Sequence, residues 1–330
     1  RSYSVTGVQT CALPISECTV KLACDANAAR LKHIQSVYPN IAVTSEVNEI
    51  VESPEIDAVA IATPVWTHYD IAKAALAAGK HVLIEKPMAS TSAQCRELID
   101  IANEKKLTLM VGHTYIYSPS VRKIKEIVDS GDIGELFYIS SQRLNLGLFQ
   151  KDINVAWDLA PHDISIILYV TGSVPLAVNC QGKSHINPGI EDVTNMSLNF
   201  RNGGFATIQT SWLDPNKVRR MTFVGNQRMI LFDENEPIEK IRIYDKRVSV
   251  PPHYDTFAEF HYSYHYGDIH SPYVNQVEPL KTECLHFIEC VRDGRRPVTS
   301  GLQGLQVVQV LEAASQSLKN NGARIEIETI

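Results

Sequence analysis

The sequence predicts an α/β protein: a doubly wound parallel sheet followed by an α+β domain with a largely antiparallel open sheet. Three observations predict it. From Cys18 to Val111 short β-rich runs alternate with helical stretches, the pattern of βαβ units and a parallel sheet. Beyond Ser118 the runs are separated by glycine turns instead, Asn202-Gly203-Gly204 and Gly225-Asn226, which are hairpin signals. A chain of 330 residues, 44% of them hydrophobic, is also long enough for two cores. The expected organisation is a separate segment over 1–16, a first domain over 17–118 and a second over 119–330.

Taken in order, Val20 to Asp25 reads as a strand and Ala26 to Tyr38 as a helix. Ala58 to Ala62 is the next strong strand, and a helix from Thr67 to Ala78, stopped by Gly79, leads into the strand His81 to Ile84. A helix from Ser92 to Lys105 and a strand from Leu107 to Val111 complete the first half. In the second half, a helix from Val121 to Ser130 precedes the strand Leu136 to Ile139. Pro161 is best tolerated in a first helical turn, which places the start of the helix ending at Gly172 near Asp158. The hairpins pair Thr194–Phe200 with Phe205–Trp212 and Met221–Val224 with Met229–Phe232, and helices over 278–292 and 302–319 close the chain.

Composition excludes several functions. Lysine and arginine total 31 against 37 acids, with no basic block, so nothing resembles a nucleic-acid footprint. No apolar run approaches a membrane span. Seven scattered cysteines without a CxxC pair argue against a zinc knuckle or a disulfide framework and fit reduced thiols in a cytoplasm. His253, His261, His265 and His270 interleave with tyrosines but lack metal-ligand spacing, which favours an aromatic loop or subunit contact and no metal. Arg1 to Ser16 fits neither a signal peptide nor a strand, and Val5 to Ser16 is similar to the in-frame translation of a sequencing adapter, so it is expected to be non-native.

The chemistry concentrates in two places. The apolar run His81-Val82-Leu83-Ile84 ends in Glu85-Lys86-Pro87, and open α/β sheets bind ligands outside the carboxyl ends of their strands. Lys86 is therefore a catalytic candidate, set against the plainer alternative of a surface lysine. Asp158 and His162 lie four residues apart on one helix face, where an acid can orient a base, or where Asp158 only caps the helix. Asp25 ends a strand where an acid binds an adenosine ribose, or caps the helix that follows. The G-x-G-x-x-G expected just before Cys18 is missing, and Gly7 stands alone.

Glu85-Lys86-Pro87, Thr63-Pro64 with His68, Gly112-His113, and the D-x-x-x-H of Asp158 and His162 together resemble the glucose-fructose oxidoreductase, inositol dehydrogenase and rhizopine-catabolism family, over roughly Cys18 to Ile330. The resemblance implies a Rossmann domain binding NAD(P) and hydride transfer at a sugar or cyclitol carbinol, and an acid at Asp25, which would repel a 2′-phosphate, makes NAD the expected cofactor over NADP. The resemblance makes Lys86 and His162 the catalytic pair and Asp158 a substrate or orienting residue. Asp25 becomes the ribose ligand, and Thr63, Pro64, His68 and Glu85 line the cofactor cleft.

Within that family, Ser141 to Gly147, Trp157 to Asp163 and the run from Tyr266 to Lys281 resemble the dehydrogenases that oxidise C3 of UDP-N-acetylglucosamine or its uronic acid. That likeness adds His113, Arg143 and Asn145 to the substrate residues, with Arg143 offering a planar fork to an anionic group or serving as a solvated surface residue. It implies a small sugar or nucleotide-sugar substrate and a homo-oligomer. The alternatives are a cyclitol or free-sugar dehydrogenase, or a non-catalytic dinucleotide-binding sugar sensor.

Overall fold

The computed structural model describes residues 17–201, 203–249 and 262–328. The segment 1–16 and the pair His253 and His261 lie outside them. The chain divides into two compact units: residues up to Tyr117 with Val277–Gln309, and Ser118–Gln276 with Val310–Ile330. The first unit thus includes a stretch near the C-terminus, whereas the sequence pattern had suggested one uninterrupted second domain from 119 to 330.

The first unit is α/β, and its described strands pair in parallel. In one sheet β1 (Leu22–Cys24) pairs with β2 (Ala42–Thr44), and in another β3 (Ala58–Ile61), β4 (His81–Glu85) and β5 (Leu109–Gly112) lie in that order. The helices between them are α1 (Ala28–Val37), the short α2 (Val47–Glu52), α3 (Val65–Ala77) and α4 (Ser92–Glu104). Val82, Leu83 and Ile84 are all buried, as a strand covered on both faces requires. Gly79 ends α3 at a φ of 82°, a conformation that a side chain disfavours. A single 3₁₀ turn, Thr114–Tyr117, follows β5, and α7 (Pro279–Asp293) packs against it.

The second unit is built on a nine-stranded sheet ordered β13-β12-β11-β10-β6-β9-β8-β7-β14. Its strands are β6 (Leu136–Leu144), β7 (Ala177–Lys183), β8 (Val193–Asn199), β9 (Phe205–Ser211), β10 (Val218–Gly225), β11 (Met229–Asp233), β12 (Ile241–Ser249), β13 (Ser263–His270) and β14 (Ile325–Glu326). Both expected hairpins form, β8–β9 and β10–β11. The central β6–β9 pair is parallel, because a crossover rather than a tight turn connects those strands. That crossover contains α6 (Val155–Thr171), which packs on β6, β8, β9 and the preceding α5 (Pro119–Asp129). The final long helix is α8 (Gly301–Lys319).

Two expectations need correction. Helix α6 begins at Val155, capped by Asn154, whose side chain accepts the Trp157 N–H at 3.1 Å, so Pro161 stands inside the helix rather than in its first turn. An interior proline costs about 3 kcal/mol. Burial of Ile164, Ile166, Ile167 and Val170 offsets it, each being worth roughly 1.5–3 kcal/mol. The run containing His265 and His270 is not a loop: it is the edge strand β13, paired antiparallel with β12. The alternation of His and Tyr there is strand periodicity, with Tyr264 and Tyr266 exposed.

Candidate active site

In the first unit, the carboxyl ends of β3, β4 and β5 gather Thr63, Pro64, His68, Glu85, Lys86 and His113. The buried His68 ring spans two carbonyls, with Nδ1 2.9 Å from Pro87 O and Nε2 2.7 Å from Thr63 O. It ties the turn after β3 to the turn after β4, and burial lowers its pKa against the pull of those carbonyls. Pro64 is the N-cap of α3, and Thr63 Oγ1 accepts a 2.7 Å bond from Thr67.

Glu85 faces Gly112 across the β4–β5 register, where a Cβ on Gly112 would stand 3.1 Å from the Glu85 carboxyl. That closeness requires glycine unless the carboxyl shifts. Loss of water raises the Glu85 pKa, opposed by the Lys86 charge and the Lys86 amide N–H. His113 is fully enclosed and, among the described residues, neither ring nitrogen has a hydrogen-bond partner. Burial, reinforced by the Lys86 charge, pushes its pKa down to about 3, so the ring is neutral.

At the end of β1, Asp25 is not the helix cap. Asn27 is, accepting from the Ala29 N–H at 2.9 Å, while Asp25 Oδ1 accepts the Asn27 N–H at 2.8 Å. Asp25 Oδ2 lies 3.5 Å from the Arg30 guanidinium.

In the second unit, Asp158 and His162 share a face of α6, and both are half-buried. The Trp212 indole Nε1–H donates to Asp158 Oδ2 at 3.0 Å, which fixes that carboxylate. Trp212 in turn packs edge-on to Phe149 and lies where a Cβ on Gly147 would meet its ring at 2.7 Å. The half-buried Asn145 joins this group through its backbone, N–H to Ser211 O at 3.1 Å. The Trp157 indole Nε1–H donates to Ser315 Oγ at 2.8 Å.

Arg143 is 5% exposed. Its Nε donates to Asp163 Oδ2 at 2.8 Å and its Nη2 to Asp163 Oδ1 at 3.2 Å, with Nη1 3.7 Å from Glu234. The fork that the sequence offers to an anion, or to solvent, faces protein carboxylates here. Sequence reasoning missed Trp212, whose link to Asp158 spans 54 positions, and the buried Glu283 of α7. Glu283 did carry a signal, because it falls on the stripe of Leu280, Cys284, Phe287 and Cys290 that α7 turns inward.

The described residues fit two ends of a dinucleotide. Asp25 stands at a strand end, where an acid can accept from ribose hydroxyls, and the cluster around Glu85 and Lys86 stands where a nicotinamide would be flanked. For the pyrophosphate between them, the sequence has no glycine from position 8 to position 78. The 330-residue chain is therefore expected to bind NAD weakly in calorimetry. Replacing residues 1–16 by a strand and G-x-G-x-x-G should tighten binding at least about tenfold, equivalent to 1.4 kcal/mol. Tight binding by the unaltered chain would refute the adapter-like reading of that segment.

Among the described residues no group of three or more His, Cys, Asp or Glu is arranged to hold a metal ion, and no helix is long and apolar enough to cross a membrane. Among the described residues no disulfide joins two cysteines.

Comparison with known proteins gives the same fold. The uncharacterized oxidoreductase YrbE of Bacillus subtilis is 26% identical over 318 residues, covering 91% of this chain and 86% of that protein. The UDP-N-acetylglucosamine 3-dehydrogenase of Acidithiobacillus ferrooxidans is 32% identical over 182 residues, 54% of this chain and 56% of that protein. Its solved structure superposes with a TM-score of 0.76 at 23% identity, covering 95% and 93% of the two chains. A levoglucosan dehydrogenase solved with NADH and levoglucosan superposes with a TM-score of 0.80 at 20% identity, covering 98% and 95%. Residues 10–113 match the oxidoreductase family described by its NAD-binding Rossmann fold, and residues 121–231 match the GFO/IDH/MocA C-terminal domain. With both domains matched over more than half its length, and dehydrogenases among its relatives, the chain belongs to the GFO/IDH/MocA family of NAD-binding oxidoreductases.

Proposed function

We propose that this protein oxidises a carbinol of a sugar with NAD, and that the sugar is a UDP-linked N-acetylhexosamine or its uronic acid reacting at C3. The observation that carries the dehydrogenase chemistry is the Glu85–Lys86 strand end, where a lysine charge acts on a water-poor carboxyl and a buried neutral imidazole. The likeness to the Acidithiobacillus enzyme supports the substrate.

Oxidising an alcohol requires a base for the hydroxyl proton and a positive charge near the developing alkoxide. We assign the base to His162 and the charge and proton relay to Lys86. Asp158, held by the Trp212 N–H, orients His162 or a substrate hydroxyl. When bound, NAD supplies the hydride acceptor. Asn145 and His113 are assigned to substrate contacts, and Thr63, Pro64 and Glu85 to the cofactor cleft. A cytoplasmic homo-oligomer is part of the same reading, supported by the lack of a disulfide among the described cysteines and by the exposed Tyr264, Tyr266 and Ile269 of β13.

The test is NAD reduction, followed by nicotinamide absorbance, with UDP-N-acetylhexosamines, their uronic acids, cyclitols and free sugars. Turnover confined to cyclitols or free sugars would overturn the substrate assignment. No turnover with any of them would favour a sugar sensor.

Cofactor choice follows from Asp25, whose carboxylate repels a 2′-phosphate. Asp25→Ser should raise the ratio of NADP to NAD utilisation by about tenfold, or 1.4 kcal/mol, because Arg30 at 3.5 Å loses its partner. An unchanged ratio in steady-state kinetics would place Asp25 away from the ribose.

A further inference from the structure

The first unit contains a buried acid that the proposed chemistry does not use. Glu283 of α7 is 1% exposed. Thr114 Oγ1 donates to its Oε2 at 2.8 Å, and its Oε1 has no partner among the described residues. Across the β4–β5 register the Glu85 carboxyl lies beside Gly112, two residues before Thr114, and its charge acts on Glu283; the Lys86 charge acts on Glu85 and His113, and the Glu283 charge acts on Tyr117 of the 3₁₀ turn.

Among the described residues, the charges acting here are those of the Glu85 and Glu283 carboxyls and, through Glu85, of Lys86, since His113 is neutral and burial holds Tyr117 protonated. Two carboxylates sharing a site of low dielectric cannot both ionise without a large penalty. Lys86 favours ionisation of Glu85 through its charge and its amide N–H. Glu283 has only a neutral hydroxyl donor, and burial and the Glu85 charge together raise its pKa well above the usual range. Burial raises both carboxyls, but only Glu85 has a positive charge acting against that rise, so of the two Glu283 is the one whose proton is favoured.

We propose that Glu283 is a neutral, protonated positioning residue for Lys86, leaving Glu85 as the single carboxylate that holds the lysine charge at the strand end. The proposal rests on the assignment of Lys86 as catalytic, and its tests separate the two.

Glu283→Gln keeps the shape and can accept from Thr114, so the fold should survive. Infrared spectra of the full chain without cofactor should show a protonated-carboxyl carbonyl band at neutral pH that Glu283→Gln removes. In Glu85→Gln the band should disappear at lower pH than in the wild type, because the repelling charge is gone.

Thermal unfolding supplies a second readout. A carboxyl whose folded pKa is raised must take up a proton on folding once pH exceeds its unfolded value, so stability is lost as pH rises. The gain in Tm of Glu283→Gln over the wild type should therefore grow between about pH 5 and about pH 8. For an ionised, purely structural Glu283 that gain would not grow. Where turnover is measurable, Glu283→Gln should also lose an alkaline decline in kcat/KM that the wild type shows. An infrared band unaffected by Glu283→Gln, or a Tm gain independent of pH, overturns the proton assignment even if the sugar has not been found. Unaltered kcat/KM profiles with the band lost overturn the link to Lys86 alone.

Discussion

Lys86→Met and His162→Ala should each lower kcat by about a hundredfold or more, the scale of a positioned acid–base group. The measurement belongs on the version carrying a grafted glycine loop, so that cofactor affinity does not limit it. Methionine retains the length of the lysine stem and removes only its charge, and Lys86 is at a strand end rather than in the packed part of β4. His162 is only half-buried on α6, so its loss leaves the packing of that helix largely intact. Circular dichroism and Tm should stay near wild type. The two losses should not add if the groups act on the same proton, because removing either one already disables the transfer. Near-normal turnover by both variants with the true substrate would discard the assignment.

Arg143→Met should destabilise the protein by about 3–5 kcal/mol, the cost of stripping one partner from a buried ion pair. Asp163 would keep only the Ser141 hydroxyl, at 2.9 Å, of the side-chain donors now satisfying it. Water cannot replace the guanidinium at a site where both side chains are almost fully enclosed. A lower urea midpoint at unchanged slope would register the loss as stability rather than as altered compactness. If Arg143 instead binds an anionic sugar group, the same substitution raises KM and leaves the urea midpoint in place.

The strands and helices that pattern reasoning finds are those with strong periodicity. His81 to Ile84 is a continuous apolar run, and Gly79 and Gly172 mark their helix ends through left-handed φ values. The misses have physical reasons. β2 and α2 are only three and six residues long, below the length at which a period can be read. β12 carries Arg242, Asp245, Lys246 and Arg247 at half-buried positions, so its hydrophobic alternation is weak. Pro161 points to a later helix start because its local preference carries no trace of the burial that α6 gains.

The candidate site divides the same way. Lys86, Asp158 and His162 were visible because each follows from a local rule, a strand end or a shared helix face. Trp212 is hidden, and Glu283 is marked only by its place on an apolar stripe, because their partners lie in distant segments. Arg143 was visible but ambiguous, since nothing near it in sequence reveals Asp163 as its partner.

The pair β1–β2 rests with α1 on a small core of Ala23, Ile34 and Ile41, edged by Val20, Tyr38 and Val43. Asp25 extends directly from that pair. Opening such a patch costs less than opening the whole unit, so it is the natural low-stability subregion of the first domain. Any ligand that grips Asp25 binds only the closed form, and its affinity is reduced by the fraction of molecules in which the patch is open. Substitutions within this small core are thus coupled to cofactor occupancy even though they touch no cofactor atom, and occupancy reciprocally steadies the core.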